Sequence, residues 1–236
     1  MGRQWLQKHR EINGAKRGKI TGKLVREITI AAKSGIPDPD VNTRLAVAIA
    51  AARKASVPSD TIQRAVKKAS GGDSDGADLE TVTFEGFAPN KVPVIVECLT
   101  DNRNRTAPEI RVLFRTGQLG AKVRFFFDHV GIIEATHETA GLDPEEAAII
   151  AGAQDVEDLE SAPEDGTGGR FFTEPADLDV VTTALREAGW SVTAADIGFR
   201  PKDAVDLPEE QRTEVEEFLE ALDDNDDVHR IYAALS

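Results

Sequence analysis

Apolar residues change their spacing once along this chain, from a helical period to an alternating one. The change falls on the segment Gly71-Gly72-Asp73-Ser74-Asp75-Gly76, whose composition is that of a linker. Before it, Ile20, Leu24, Ile28 and Ala31 lie on one face of a helix predicted over 15–34. Gly35 is placed as its left-handed stop, and Pro37 and Pro39 forbid continuation. Asn42 or Thr43 can cap a second helix with Leu45, Ile49 and Ala52 inward, which Pro58 ends. Ser59 or Asp60 caps a third, with Ile62, Val66 and Ala69 inward and Arg64, Lys67 and Lys68 on its other side. After the linker, Val82 and Phe84, then Val92, Val94 and Val96, alternate as two strands around a turn at Pro89-Asn90.

Beyond the first two strands, the loop TDNRNRT at 100–106 leads into a helix, with Thr106 and Glu109 spaced as a capping box. Strands are predicted at 123–127 and 130–134, and a helix opens at Asp143-Pro144. A turn at Gly166, Gly168 and Gly169 precedes a strand at 170–174. A helix at 176–188, a strand at 191–199, a helix at 208–223 and a short strand from Val228 to Tyr232 complete the chain. No glycine-rich phosphate turn follows any strand, which favours α+β units with antiparallel sheets over a Rossmann domain.

Charge is divided along the same line. Residues 1–70 carry 15 Lys+Arg against 5 Asp+Glu, a net of +10; the remainder carries 13 against 37, a net of −24. A body of that charge repels phosphate at long range, so a polyanion is expected to meet the first part only. Lys8, His9, Arg10, Lys16, Arg17, Lys19 and Lys23 crowd into a few turns, the density that phosphate neutralisation and counterion release require. Trp5 can stack on a base or anchor a core. A solvated face balancing the acidic body is the competing reading of the lysines. In TDNRNRT, Arg103 and Arg105 offer forked donors to phosphate, or pair with the body's carboxylates as a capping loop.

Other chemistries find little support. Glu97, Asp101 and Glu109 form the carboxylate set considered for a metal-dependent nuclease on branched DNA. The run Asp73, Asp75, Asp78 departs from a calcium loop, with Phe84 at its twelfth position. His9, His129, His137 and His229 show no metal-ligand spacing, and no P-loop or nucleophile elbow occurs. A single cysteine, Cys98, fits a reducing compartment. No apolar run reaches the roughly 18 residues a membrane helix needs, and the N-terminus lacks a secretory pattern.

Four blocks together resemble the YebC/PmpR family: KHREINGAKRGKITGKLVREI at 8–28, DPDVNTRL at 38–45, TDNRNRT at 100–106 and EALDDNDDV at 220–228. The resemblance implies a multidomain α+β fold. A three-helix domain (1–72) precedes an α+β domain (79–130 with 204–236), into which a third domain (131–203) is inserted. It implies a non-enzymatic nucleic-acid-binding regulator, either on the ribosome, aiding translation through proline-rich stalls, or on double-stranded DNA in transcription. Arg103 and Arg105 become a second nucleic-acid contact beside the basic helix, with Arg64 and Lys67 added from the third. The opening Gly2-Arg3-Gln4-Trp5 and the turn Gly86-Phe87-Ala88-Pro89 depart from the family's pattern, and strain is expected at Ala88 where the family has glycine. A cytoplasmic monomer is expected, without cofactor, metal or membrane contact, whose partners are rRNA and the ribosome or double-stranded DNA. Basic proteins are candidate partners of the acidic body.

Overall fold

Asn42 holds the first unit together. In the computed structural model, which describes residues 3–69, 79–159 and 166–236 and the side chains from Gly18 onward, helix α1 is Arg3–Lys33, α2 is Thr43–Lys54 and α3 is Ser59–Ala69. The linker at 71–76 and the run from Asp73 to Asp78 lie outside the described residues. The Asn42 side-chain oxygen accepts from Leu45 N at 3.0 Å, capping α2. Its amide donates to the carbonyls of Ala31 and Ile36, both at 2.9 Å, closing the end of α1. Gly35, expected as a left-handed stop, is not left-handed; a Cβ there would lie 2.9 Å from the Asn42 amide. Its small size therefore serves a close approach. Ile28, Leu45, Ala52, Ile62 and Ala65 form the core. Ile20 was expected inward but is 52% exposed, because the other two helices cover only the later turns of α1.

Sheet A has the order β3-β1-β2-β8, from β1 (Glu80–Phe87), β2 (Pro93–Thr100), β3 (Gln118–Leu119) and β8 (Val228–Ala233). Helices α4 (Arg103–Leu113) and α7 (Glu209–Asp223) cover one face, burying Val94, Val96 and Cys98 against Ile110, Val215, Phe218 and Leu222. Ile95 of β2 points the other way, into Val123, Phe127 and Phe199. A central strand apolar on both faces is what Pro93–Thr100 encodes. Burial pushes the Cys98 thiol up to about 12, so it is an inert core group.

Between β3 and β8 in sequence lies a second antiparallel sheet, β5-β6-β4-β7, from β4 (Phe127–His137), β5 (Asp155–Asp158), β6 (Thr167–Thr173) and β7 (Ser191–Pro201). Helices α5 (Pro144–Ala151) and α6 (Leu178–Glu187) cover it over Ile133, Phe171, Leu185 and Trp190. The expected α+β architecture with an inserted sheet is therefore the observed one. Val47 of α2 joins this last core, so the helical unit rests on β7.

Local departures have physical causes. The two strands expected at 123–127 and 130–134 are one, β4, preceded by a single tight turn at Arg124–Phe126. Gly168 and Gly169 lie within β6 rather than in a turn, and a Cβ on Gly169 would meet the Phe171 ring at 2.9 Å. Asn102, not Thr106, caps α4, accepting from Arg105 N at 3.2 Å. Ala88 is extended at φ −68°, and the left-handed residues of that turn are Asn90 and Lys91, so the strain expected at Ala88 does not arise. Helix α3 begins at Ser59 itself, on the carbonyl of Pro58.

Because Asn42 serves two helix ends, Asn42→Ala is expected to lower unfolding stability by about 2 kcal/mol in urea melts. Asn42→Asp, which keeps the cap acceptor and loses both amide donors, is expected to fall between the two.

Candidate nucleic-acid interface

Lys19, Lys23 and Arg26 lie on one stripe of α1, at steps of a helical turn. They face the C-terminal end of α7 and the acidic loop behind it. Lys19 donates to the Asp224 carbonyl at 3.0 Å and reaches its carboxylate at 3.4 Å. Lys23 donates to the Asp223 carbonyl at 2.6 Å and its carboxylate at 2.8 Å. Arg26 donates to the Asp226 carbonyl and lies 3.4 Å from the buried carboxylate of Asp227. Cations at a helix C-terminus meet the negative end of the helix dipole, so carbonyls and carboxylates act together here.

Asp227 also receives the TDNRNRT loop. Its Oδ2 accepts from Thr106 Oγ1 at 2.7 Å and from Arg105 at 3.0 Å. Arg105 spans to Asp101 at 3.0 Å as well. Burial favours the protonated form of Asp227, but the hydrogen bonds from Thr106 and Arg105 and the charge of Arg26 outweigh it and leave its pKa below the ordinary range. Thr106, expected as a cap, is instead a buried donor to this carboxylate, which is why the cap falls to Asn102.

One layer deeper, five ionisable side chains from all three units meet. Arg44 of α2 donates from Nε to Glu27 of α1 at 3.1 Å and pairs with Asp196 of β7 at 3.1 Å. Arg230 of β8 pairs with the same Asp196 oxygen at 2.7 Å, and His229 Nε2 lies 2.5 Å from Glu27 Oε2. A contact that short requires a hydrogen on Nε2, so His229 donates to Glu27 rather than accepting from Arg230. Burial raises the Glu27 carboxyl, but the His229 hydrogen bond and the charges of Arg44 and Arg230 overcome this and hold it at about 2. Glu27, Asp196 and His229 are also the one grouping among the described residues with three metal-ligand atoms within 4.8 Å of one another. Arg44 and Arg230 already neutralise both carboxylates, and a divalent ion would meet two guanidinium groups, so the set does not fit a metal.

The predicted site residues separate into three groups. The side chains of Trp5, Lys8, His9, Arg10, Lys16 and Arg17 lie outside the described residues. Lys19, Lys23 and Arg105 are engaged by carboxylates of the chain itself. Arg64, Lys67 and Arg103 are exposed, without a carboxylate partner among the described residues, as is Lys68. Arg64 donates only within its own helix turn, to the Asp60 carbonyl at 3.1 Å and Thr61 at 3.4 Å. Arg64 and Lys68 line an open groove of about 470 Å³ with Arg26, Thr29 and Asp101.

The carboxylates considered for a nuclease do not converge. Glu97 and Asp101 are four residues apart along an extended segment, and Glu97 takes a hydrogen bond from Tyr232 at 3.1 Å. Burial raises the Glu97 carboxyl, while Glu109 accepts from Asn225 at 3.1 Å. Sequence reading missed Glu27, Arg44, Asp196, His229 and Arg230. A signal existed for Glu27, which is three residues from Leu24 and four from Ala31 and so sits on the apolar face. Asp196, between Ala195 and Ile197, carried none.

All four motif blocks noted in the sequence thus meet at one junction, through Lys19 to Glu27, Arg44, Asp101 to Thr106, and Asp223 to Asp227. The family description "TACO1/YebC protein N-terminal domain" matches residues 2–72, and "TACO1/YebC second and third domain" matches residues 79–235. The chain belongs to the TACO1/YebC family. A protein of Pseudomonas savastanoi pv. phaseolicola is 52% identical over the whole of both chains. One of Bdellovibrio bacteriovorus is 46% identical, again over the whole of both. One of Thermobifida fusca is 42% identical over 95% of this chain and 90% of its own. All three are named probable transcriptional regulatory proteins. The crystal structure of a conserved hypothetical protein of Aquifex aeolicus superposes with a TM-score of 0.82 at 37% identity, covering 94% of this chain and 91% of that one.

Replacing Glu27 removes one of the two carboxylates of the junction and leaves Arg44 and Arg230 to share Asp196, so Glu27→Gln is expected to cost about 3 kcal/mol in urea unfolding. Its pKa is depressed in the folded state, so its contribution is complete above the ordinary carboxylate range. That contribution is lost as pH falls from about 4.5 toward about 2. The acid limb of the stability curve should therefore be shallower in Glu27→Gln than in the wild type.

Proposed function

We propose that this protein is a non-enzymatic nucleic-acid-binding regulator of gene expression that grips its polymer by the phosphates. The observation that carries the reading is the set Arg64, Lys67, Lys68 and Arg103, exposed and without carboxylate partners among the described residues of a chain of net charge −14. In a protein this acidic, cations left unneutralised beside an open groove are available to an external polyanion. By sequence, Lys8, His9, Arg10, Lys16 and Arg17 add further cations on α1, with Trp5 as the candidate stacking group. The relatives named transcriptional regulators support the broad reading. No helix among the described residues is long and apolar enough to cross a membrane.

The polymer we favour is ribosomal RNA, with a role in translation. The remainder of the chain, at net −24, is repelled by bare duplex but tolerated on a surface rich in basic ribosomal proteins. The names of the relatives favour double-stranded DNA and transcription instead. Crosslinking in growing cells with sequencing of bound RNA and DNA separates the two: rRNA peaks support the first and promoter peaks the second.

Phosphate contacts carry little sequence information. Arg64→Ala with Lys67→Ala is therefore expected to weaken binding about equally across sequences and to reduce the slope of log affinity against log salt by about two. Lys16→Ala with Arg17→Ala should do the same. Unchanged binding and salt slope in both double variants would remove the basic surface from the mechanism.

A further inference from the structure

The cations best placed by sequence to bind phosphate already hold an anion. Lys19, Lys23 and Arg26 form a stripe along α1 with rises of about 6 Å and about 4.5 Å between them, and segment 223–227 lays carbonyl and carboxylate oxygens along it. The two ends of this contact differ. Arg26 meets Asp227, whose side chain is 4% exposed and is also held by Arg105 and Thr106. Lys19 and Lys23 meet Asp224 and Asp223, whose side chains are 76% and 70% exposed. Exposed pairs of this kind are individually weak and exchangeable, whereas the buried one is not.

We infer that segment 223–227, the last residue of α7 and the loop that follows it, is an autoinhibitory latch, a stand-in for a phosphate backbone whose side chains occupy the nucleic-acid stripe of α1 until a dense polyanion displaces them. This rests on the nucleic-acid reading above and adds its regulation. Asp223 and Asp224 leave Lys23 and Lys19 when phosphates replace them, while Arg26 and Asp227 remain together as the pivot. Two further features fit a displaceable contact. Much of the attraction comes from backbone carbonyls at the end of α7, which a phosphate oxygen can replace one for one. And the exposed end of the latch is the end from which α1 continues toward Lys16 and Arg17, so opening proceeds outward from the pivot along one helix. A latch of this kind filters ligands by charge density: a single phosphate cannot replace two carboxylates, but a polymer that also releases counterions can.

The test uses the full chain with Asp223→Asn and Asp224→Asn together. Its control is Glu145→Gln with Glu146→Gln at the start of α5, which changes net charge equally without touching α1. Affinity is measured for a DNA duplex and an RNA hairpin, each of about 20 base pairs, alongside amide hydrogen exchange over residues 18–26. The latch variant is expected to bind at least one probe about tenfold more tightly than the wild type, and the control less than about threefold. Exchange over 18–26 should be faster in the latch variant alone, and faster in the wild type once the probe is bound. Equal gains in both variants, or no gain in either while the wild type binds, would overturn the latch and leave the nucleic-acid reading standing. If wild type and latch variant both fail to bind either probe, the nucleic-acid reading fails and the latch with it. Binding by the latch variant with none by the wild type would support both.

Discussion

The charged junction in which Glu27 and Arg44 meet His229 and Asp196 fixes how the helical unit sits on the two sheets. Three cores are apolar and mostly local, under the three helices, between α4, α7 and sheet A, and between α5, α6 and the second sheet, while Ile95, Phe127 and Phe199 join the two sheets and Val47 reaches from α2 into the second. Apolar packing of that kind is non-directional and tolerates sliding. The charged junction is not so permissive, because its members come from α1, α2, β7 and β8 and each carboxylate serves two partners. Such a network contributes little net stability once desolvation is counted, but removing one member leaves a buried charge uncompensated. Its consequence is a single relative placement of the helical unit on the two sheets.

That junction changes the meaning of the charge division. A net of +10 beside a net of −24 first suggests two surfaces for two partners. In the folded chain part of each neutralises the other, since Lys19, Lys23, Arg26 and Arg44 face Asp223 to Asp227, Glu27 and Asp196. Cations packed against carboxylates are spoken for within the fold, so the proposed nucleic-acid reading rests first on those of α3 and the start of α4 that lack such partners among the described residues.

Much of the fold was legible because it is written in local chemistry. Asn42 placed the start of α2 and Asp143-Pro144 that of α5, and the shift in apolar period found the first strands of sheet A. The misses share a cause. Helix α1 begins at Arg3 rather than near 15, because its early turns are basic and polar and show no periodic signal. Thr106 fits a capping box as well as Asn102 does, and only Asp227, more than a hundred residues away, decides between them. Strand β5, Asp155–Asp158, was not anticipated; it is short and acidic, and it exists because β6 offers it an edge. Of the site, the residue types were legible and their partners were not, since Arg105 or Lys23 looks the same in sequence whether it faces a phosphate or an aspartate.

The blocks through which the chain resembles its family therefore describe assembly as much as ligand binding. KITGKLVREI supplies Lys19, Lys23, Arg26 and Glu27; TDNRNRT supplies Arg105 and Thr106; DDNDD supplies their anionic partners. A distinctive motif is expected where geometry leaves no substitute, and a buried carboxylate shared by Arg26, Arg105 and Thr106 is such a place. A phosphate contact on an exposed helix face asks only for positive charge, which many arrangements of lysine and arginine provide. Helix α1 does both, packing Ile28 and Ala31 inward while directing Lys19, Lys23 and Arg26 at α7. A ligand on its exposed stripe, as proposed above, would act on the helix that also carries Glu27 into the junction, so such binding and the joining of the three units would be coupled through one element.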